Sequence, residues 1–253
     1  MNNELLYNMI FKRKSFHLFR NIGKAKLTNN EINNIKDVYK ILKPLVSDIK
    51  TTIKIVSADT TNCKRGEEYC ILFYSEKKDN YLQNIGYLGE QLDLYLVSKN
   101  IATLWFGIGK IKEIKYNDLE FVIMLAISKA DDSEKFRKDM YKSKRKILEK
   151  IWLGNYYQEI GNIVRFAPSA CNTQPWIVES DEKKLKICRY EKRGKRGIMP
   201  KNAVTYYNRI DMGIFLLFLD LCLEHNKISY AKKVFIDNFD DSEKILFAEY
   251  FIN

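Results

Sequence analysis

The sequence predicts an α+β protein built from two similar halves, each with a central buried helix and a small, mainly antiparallel sheet. Three observations lead there. Gly86, Leu92, Asp93, Leu94, Leu96 and Ile101 recur as Gly213, Leu219, Asp220, Leu221, Leu223 and Ile228, a constant offset of 127 in a chain of 253 residues. Both segments carry apolar residues at helical spacing, as in Leu88, Leu92, Tyr95 and Leu96, so each reads as a buried helix. Each is also preceded by two short runs with strand character. The two halves are placed at 1–141 and 142–253, and they are expected to pack intimately because no Pro-, Gly- or Ser-rich linker separates them.

In chain order, Glu31–Leu42 is an amphipathic helix candidate, capped by Asn29 or Asn30 and ended before Pro44. Thr52–Ser57 and Tyr69–Tyr74, rich in β-branched and aromatic residues, form the first strand pair around a polar turn. The first central helix is predicted over 86–99, and Glu120–Ser128 is a further strand after a Tyr-Asn-Asp turn signal. In the second half Glu149–Arg165 reads as a helix, 167–176 as a stiffened loop, Gln174–Glu179 and Leu185–Tyr190 as strands, and 211–225 as the second central helix.

Composition narrows the function classes. With 46% hydrophobic and 30% charged residues the chain can bury a core and is no disordered scaffold. The apolar stretch around Met212–Leu223 is interrupted by Asp220 and is shorter than the roughly 20 residues a spanning helix needs. Lys12, Arg13 and Lys14 follow the apolar Leu5–Phe11 run, the reverse of a signal peptide, so a cytoplasmic location without membrane partner is expected. Five scattered cysteines without a CxxC pair read as reduced thiols. His17 and His225 fit no metal-binding spacing, and no metal is expected. The net charge of +11 suits nucleic acid, an anionic surface or a phosphate-bearing ligand. No nucleic-acid-binding motif accompanies it, and no nucleic-acid partner is expected.

Two of the four prolines, Pro168 and Pro175, bracket Ser169, Ala170, Cys171, Asn172, Thr173 and Gln174, with Trp176 behind them. Fixed φ angles stiffen the loop, and its short side chains offer donors and acceptors suited to a planar heterocycle. A plain helix-to-strand turn remains the alternative on the residues alone.

Ala-Pro-Ser-Ala-x-Asn-x-Gln-Pro-Trp at 167–176 resembles the signature loop of the nitroreductase family of FMN-dependent oxidoreductases. Arg13, Lys14, Ser15 and His17 resemble the family's N-terminal Arg-x-Ser arm. The segment Gly86–Gly109 resembles its central helix and the following Gly-Leu-x-x-x-Trp loop, here Asn100–Gly107. Lys144, Arg145 and Lys146 resemble the basic run after the last core strand.

The resemblance implies a nitroreductase-like fold in its internally duplicated, pseudo-dimeric form, a monomer with one FMN per chain. It implies that Arg13, Lys144 and Arg145 meet the flavin phosphate. Ser15, Lys14, Pro168, Ser169, Ala170 and Asn172 would meet the ribityl chain or ring, and Trp105, Phe106, Gly107, Ile108 and Gly109 would border the ring. His17 stands where the family more often holds a permanent cation beside the pyrimidine edge. The implied activity is hydride uptake from NADH or NADPH and reduction of a small-molecule acceptor, a nitroaromatic or quinone, by ping-pong turns in one pocket, with the chemistry on the flavin rather than on a catalytic side chain. A flavin-binding protein without turnover, or another reductase class on the same scaffold, is the alternative.

Overall fold

The computed structural model describes residues 2–190, 197, 199–237 and 244–253. It divides into two compact units, one of Met1–Tyr81 with Leu88–Met140, the other of Leu82–Tyr87 with Tyr141–Asn253.

The first unit opens with α1 (Asn3–Lys12), whose first turn is capped by the Asn2 side chain accepting the Glu4 N–H and whose buried face is Leu6, Tyr7 and Ile10. Helix α2 (Asn29–Lys40) starts one residue earlier than an Asn29 cap allows and two earlier than an Asn30 cap allows. Thr28 is the N-cap, because Glu31 at the third helical position completes a reciprocal pair: the Thr28 hydroxyl accepts the Glu31 N–H and the Glu31 carboxylate accepts the Thr28 N–H.

Strands β1 (Thr51–Ser57) and β2 (Tyr69–Ser75) lead into α3 (Tyr81–Ser98), and β3 (Ile101–Phe106), β4 (Lys115–Tyr116) and β5 (Leu119–Lys129) follow. The sheet order is β1-β2-β5-β3, antiparallel throughout, with β4 beside β5. Its register aligns Ile55, Ile71, Leu125 and Trp105 in one row. The stretch Asn100–Gly107, matched to a family loop, is therefore mostly a strand. Only Asn100, with φ +56°, makes the turn out of α3, and the β-branched and aromatic residues after it pair with β5.

The second unit contains β6 (Trp152–Leu153), α4 (Gln158–Val164), β7 (Trp176–Ser180), β8 (Lys184–Tyr190), α5 (Val204–His225), β9 (Tyr230–Val234) and β10 (Lys244–Ile252). Its sheet runs β6-β7-β8-β10-β9, antiparallel except for β6 beside β7. The helix expected over Glu149–Arg165 is only α4. Gly154 at φ +107° and Tyr157 at φ +58° interrupt helical backbone, and Trp152–Leu153 pairs with β7 instead. Both central helices start earlier than expected, at Tyr81 and Val204. The orders β1-β2-β5-β3 and β7-β8-β10-β9 are the same, and each central helix lies between the second and third strand of its series along the chain.

The segment Leu82–Tyr87 lies in the second unit, against α5. A Cβ on Gly86 would stand 2.0 Å from the Ile210 carbonyl oxygen, and one on Gly213 would stand 1.8 Å from the Gln83 carbonyl oxygen. Gln83 and Ile210 are themselves 127 residues apart, so the two approaches exchange under the same offset that relates the glycines. The two close approaches are thus reciprocal in the sequence offset.

Candidate functional site

The N-terminal arm is held along β3. Ser15 bridges to Thr103, and the Phe16 N–H donates to the Thr103 carbonyl at 3.0 Å. Phe16 and Phe19 are buried in the core of the first unit, which fixes the residues around them. Arg13 is 3% exposed. Its Nε donates to Asp93 Oδ2 at 3.0 Å, its Nη1 donates to Ser15 Oγ at 3.1 Å, and its Nη2 is buried without a hydrogen-bond partner among the described residues. Burial works against its charge, but the carboxyls of Asp93 and Glu90 more than offset this and its pKa is raised.

Around Arg13 gather further cations. Burial first, then Arg137 and Lys135, pulls the Lys14 ammonium below its usual range. Arg137 is pushed down to about 10 by burial and by Arg13. The backbone N–H of Arg137 donates to the Lys12 carbonyl at 2.9 Å, which ties the segment after β5 to the arm. Like charges brought together on partly buried groups favour an anion among them, and an Arg fork with an unmatched donor suits a phosphate oxygen.

Beneath this cluster lies the buried Glu90 carboxyl. Burial and the neighbouring Asp93 raise its pKa well above the usual carboxyl range, against the pull of Arg13. Its Oε2 accepts the Trp105 indole N–H at 3.0 Å, and the Trp105 ring stacks on Phe73 at 5.7 Å over the bare Cα of Gly89. Because the folded pKa lies above the unfolded one, the stability this group contributes is complete below about pH 4.3 and is lost as pH rises toward the folded value. Glu90→Gln is therefore expected to match or exceed the parent in stability at neutral pH and to remove that loss. Thermal melts from acid to neutral pH check it, and a difference between the two proteins that stays constant with pH contradicts it.

In the second unit the Pro-Ser loop is braced from several sides. Cys171, Asn172 and Gln174 have φ of +49°, +55° and +49°, a strained cluster for side-chain-bearing residues. The Ser169 Oγ accepts the Gln174 N–H at 3.0 Å, which leaves its own O–H able to donate elsewhere. The Ala170 N–H donates to Asp211 Oδ1 at 3.0 Å. Burial raises the Asp211 pKa well above the usual range, against the pull of its bond from the Ala170 N–H. Trp176 is fully buried and stacks on Phe215 at 4.8 Å.

Arg145 Nη1 donates to Asn172 Oδ1 at 3.0 Å and Nη2 to the Phe166 carbonyl at 3.3 Å, while the Asn172 amide donates to the Lys144 carbonyl. Lys146 Nζ donates to the Gln174 carbonyl at 2.7 Å. The basic run 144–146 thus lies on the Pro-Ser loop and supports it.

Of the residues singled out in the sequence, Arg13, Lys14 and Ser15 come together in the first unit, and Lys144, Arg145, Pro168, Ser169, Ala170 and Asn172 in the second. His17 and Ile108 are exposed, Phe106 is buried, and Gly107 and Gly109 are half-buried after β3. Lys135 and Arg137 were not found from the sequence. Their only signal is a Lys-x-Arg spacing after the last strand of the first half, inside a charged stretch that reads as a solvated face.

The family model described as "Putative TM nitroreductase" matches residues 5–222. The chain belongs to this family. Membership suggests an oxidoreductase. Among solved structures, one described as a "putative nitroreductase" from Thermotoga maritima is similar over 100% of this chain and 93% of its own, at 18% identity and a TM-score of 0.62. That likeness shows the nitroreductase-type mixed helix-and-sheet fold. A nitroreductase family protein from Clostridium novyi NT matches 51% of this chain and 87% of its own, at 17% identity and a TM-score of 0.39. No curated protein matches the sequence. No described helix is long and apolar enough to cross a membrane.

Proposed function

We propose that this nitroreductase-family chain is an FMN-dependent oxidoreductase that takes hydride from NADH or NADPH and reduces a small acceptor, a nitroaromatic or quinone, by a ping-pong mechanism. The observation that carries the reading is the cluster of Arg13, Lys14, Lys135 and Arg137, with a buried guanidinium nitrogen of Arg13 lacking a hydrogen-bond partner among the described residues. This donor set fits a dianionic phosphate. When bound, FMN supplies the hydride and electron transfer itself.

The chain's own residues bind and orient. Arg13, fixed by Asp93 and Ser15, presents Nη2 to the phosphate, while Lys14, Lys135 and Arg137 neutralise its charge. Arg145 and Lys144 hold the Pro-Ser loop in its strained shape, so that Pro168, Ser169, Ala170 and Asn172 can meet the flavin with a fixed backbone. Gly107, Ile108 and Gly109 border the ring in this reading, and Trp105 acts from beneath, through Glu90. His17 is exposed beside the arm and is proposed as the group near the pyrimidine edge, where the family more often holds a permanent cation. The shared sheet order and the reciprocal glycine approach support an internal duplication, with one FMN in a monomeric chain.

The test compares FMN with riboflavin, which lacks the phosphate. Arg137→Ala is expected to weaken FMN binding by roughly tenfold to a hundredfold, the worth of one charge-assisted contact of about 1.5–3 kcal/mol, and to leave riboflavin binding unchanged. Fluorescence titration of the flavin-free proteins reads both constants. Equal losses for the two flavins would mean that Arg137 supports the fold and does not touch the phosphate.

A further inference from the structure

Three side chains of the first unit, Cys63, Glu67 and Cys70, take no part in the flavin reading. Cys63 lies in the connection between β1 and β2, Glu67 at its end and Cys70 within β2. The cysteines are 1% and 0% exposed and Glu67 is 8% exposed. Two sulfurs and one carboxylate oxygen all lie within 4.8 Å of one another. Glu67 Oε2 accepts the Arg65 N–H at 2.8 Å, but Oε1 is buried and has no hydrogen-bond partner among the described residues. A buried carboxylate oxygen left without a donor costs free energy, and a thiol is a weak donor. Thr61 Oγ1 does not supply the missing donor, since its own proton goes to the Ala58 carbonyl.

We propose that Cys63, Glu67 and Cys70 bind a divalent transition metal of the zinc type, as two thiolates and one carboxylate with the fourth position open to water. The donor set decides the class: two sulfurs disfavour magnesium and calcium, which take oxygen ligands, and suit zinc or cobalt. Two thiolates and a carboxylate carry three negative charges, so the bound ion leaves one, and Lys64 and Arg65 in the same connection lie close in sequence to offset it.

The consequence reaches the arm. The Phe19 N–H donates to the Arg65 carbonyl at 2.8 Å, and Phe16 and Phe19 share one core cluster with both cysteines. An ion that rivets the β1–β2 connection to β2 thereby steadies the end of the segment that begins at Arg13.

The experiment titrates the full chain, reduced, stripped with chelator and kept anaerobic, with cobalt(II). The expected result is one equivalent bound with thiolate-to-cobalt absorption in the near-ultraviolet and tetrahedral bands in the visible, displaced by zinc(II), and a zinc-dependent rise in melting temperature. In Cys63→Ser and Cys70→Ser the charge-transfer absorption falls or vanishes, and in Glu67→Gln it survives while the visible bands shift. Absence of these bands in the parent protein with its thiols shown to be reduced would overturn the proposal without recourse to any variant. So would bands that persist undiminished in the double cysteine variant, since the ion would then be bound elsewhere. The flavin reading stands or falls separately, by FMN titration of the same stripped protein.

Discussion

Arg13→Met is expected to lower the unfolding free energy by about 3–5 kcal/mol, because it leaves the buried Asp93 carboxyl without its charged partner. The loss is not that of a surface ion pair. Asp93 is fully buried, its Oδ1 accepts the Thr103 hydroxyl at 2.6 Å, and the Glu90 carboxyl lies beside it. Adding Asp93→Leu to Arg13→Met removes both charges at once and is expected to recover much of the stability, as when buried pairs give way to apolar residues of similar volume. FMN affinity should not recover with it, since the phosphate partner is still missing. Chemical denaturation of the single and double variants, with FMN titration of each, separates the two roles. A double variant that regains both would place the phosphate away from Arg13.

The second large effect concerns Gly86 and Gly213. Either changed to alanine sets a methyl about 2 Å from a backbone carbonyl oxygen of the facing helix segment. No flexible side chain stands in the way to yield, so the backbones must part, and the expected cost is about 3 kcal/mol, the upper end of ordinary overpacking. Because both methyls are accommodated by one separation, Gly86→Ala with Gly213→Ala should cost well under the sum of the two. Denaturant midpoints of the three variants decide this. Additive costs would mean that the approaches are independent and that the reciprocity is only geometric.

The Pro-Ser loop could be read in the sequence because its constraints are local: two prolines fix φ, and the residues between them are chemically unusual together. The central helices were legible through apolar spacing and the 127-residue echo, though their first turns were missed. Residues 82–85 and 208–210 are buried, and Tyr81 and residues 204–207 half-buried, by tertiary contacts that amphipathic periodicity does not announce. The helix over Glu149–Arg165 was overextended because Gly154 and the left-handed Tyr157 interrupt a pattern that is otherwise helical. Thr28 lost to its asparagine neighbours as the expected cap because the deciding partner, Glu31, is visible only as a pair.

For the site, Arg13 was legible as a motif, but its burial against Asp93 was not, since the partners lie 80 residues apart. Lys135 and Arg137 were invisible for the same reason. A Lys-x-Arg in a charged stretch acquires meaning only when the chain brings it to the arm.

The most direct measurement of the central claim is the flavin content of the purified chain, after incubation with FMN and removal of excess, by absorbance of what denaturation releases. The account predicts one FMN per chain, on protein that runs as a monomer. Protein that remains colourless and takes up no FMN, or that releases two equivalents per chain, would contradict it.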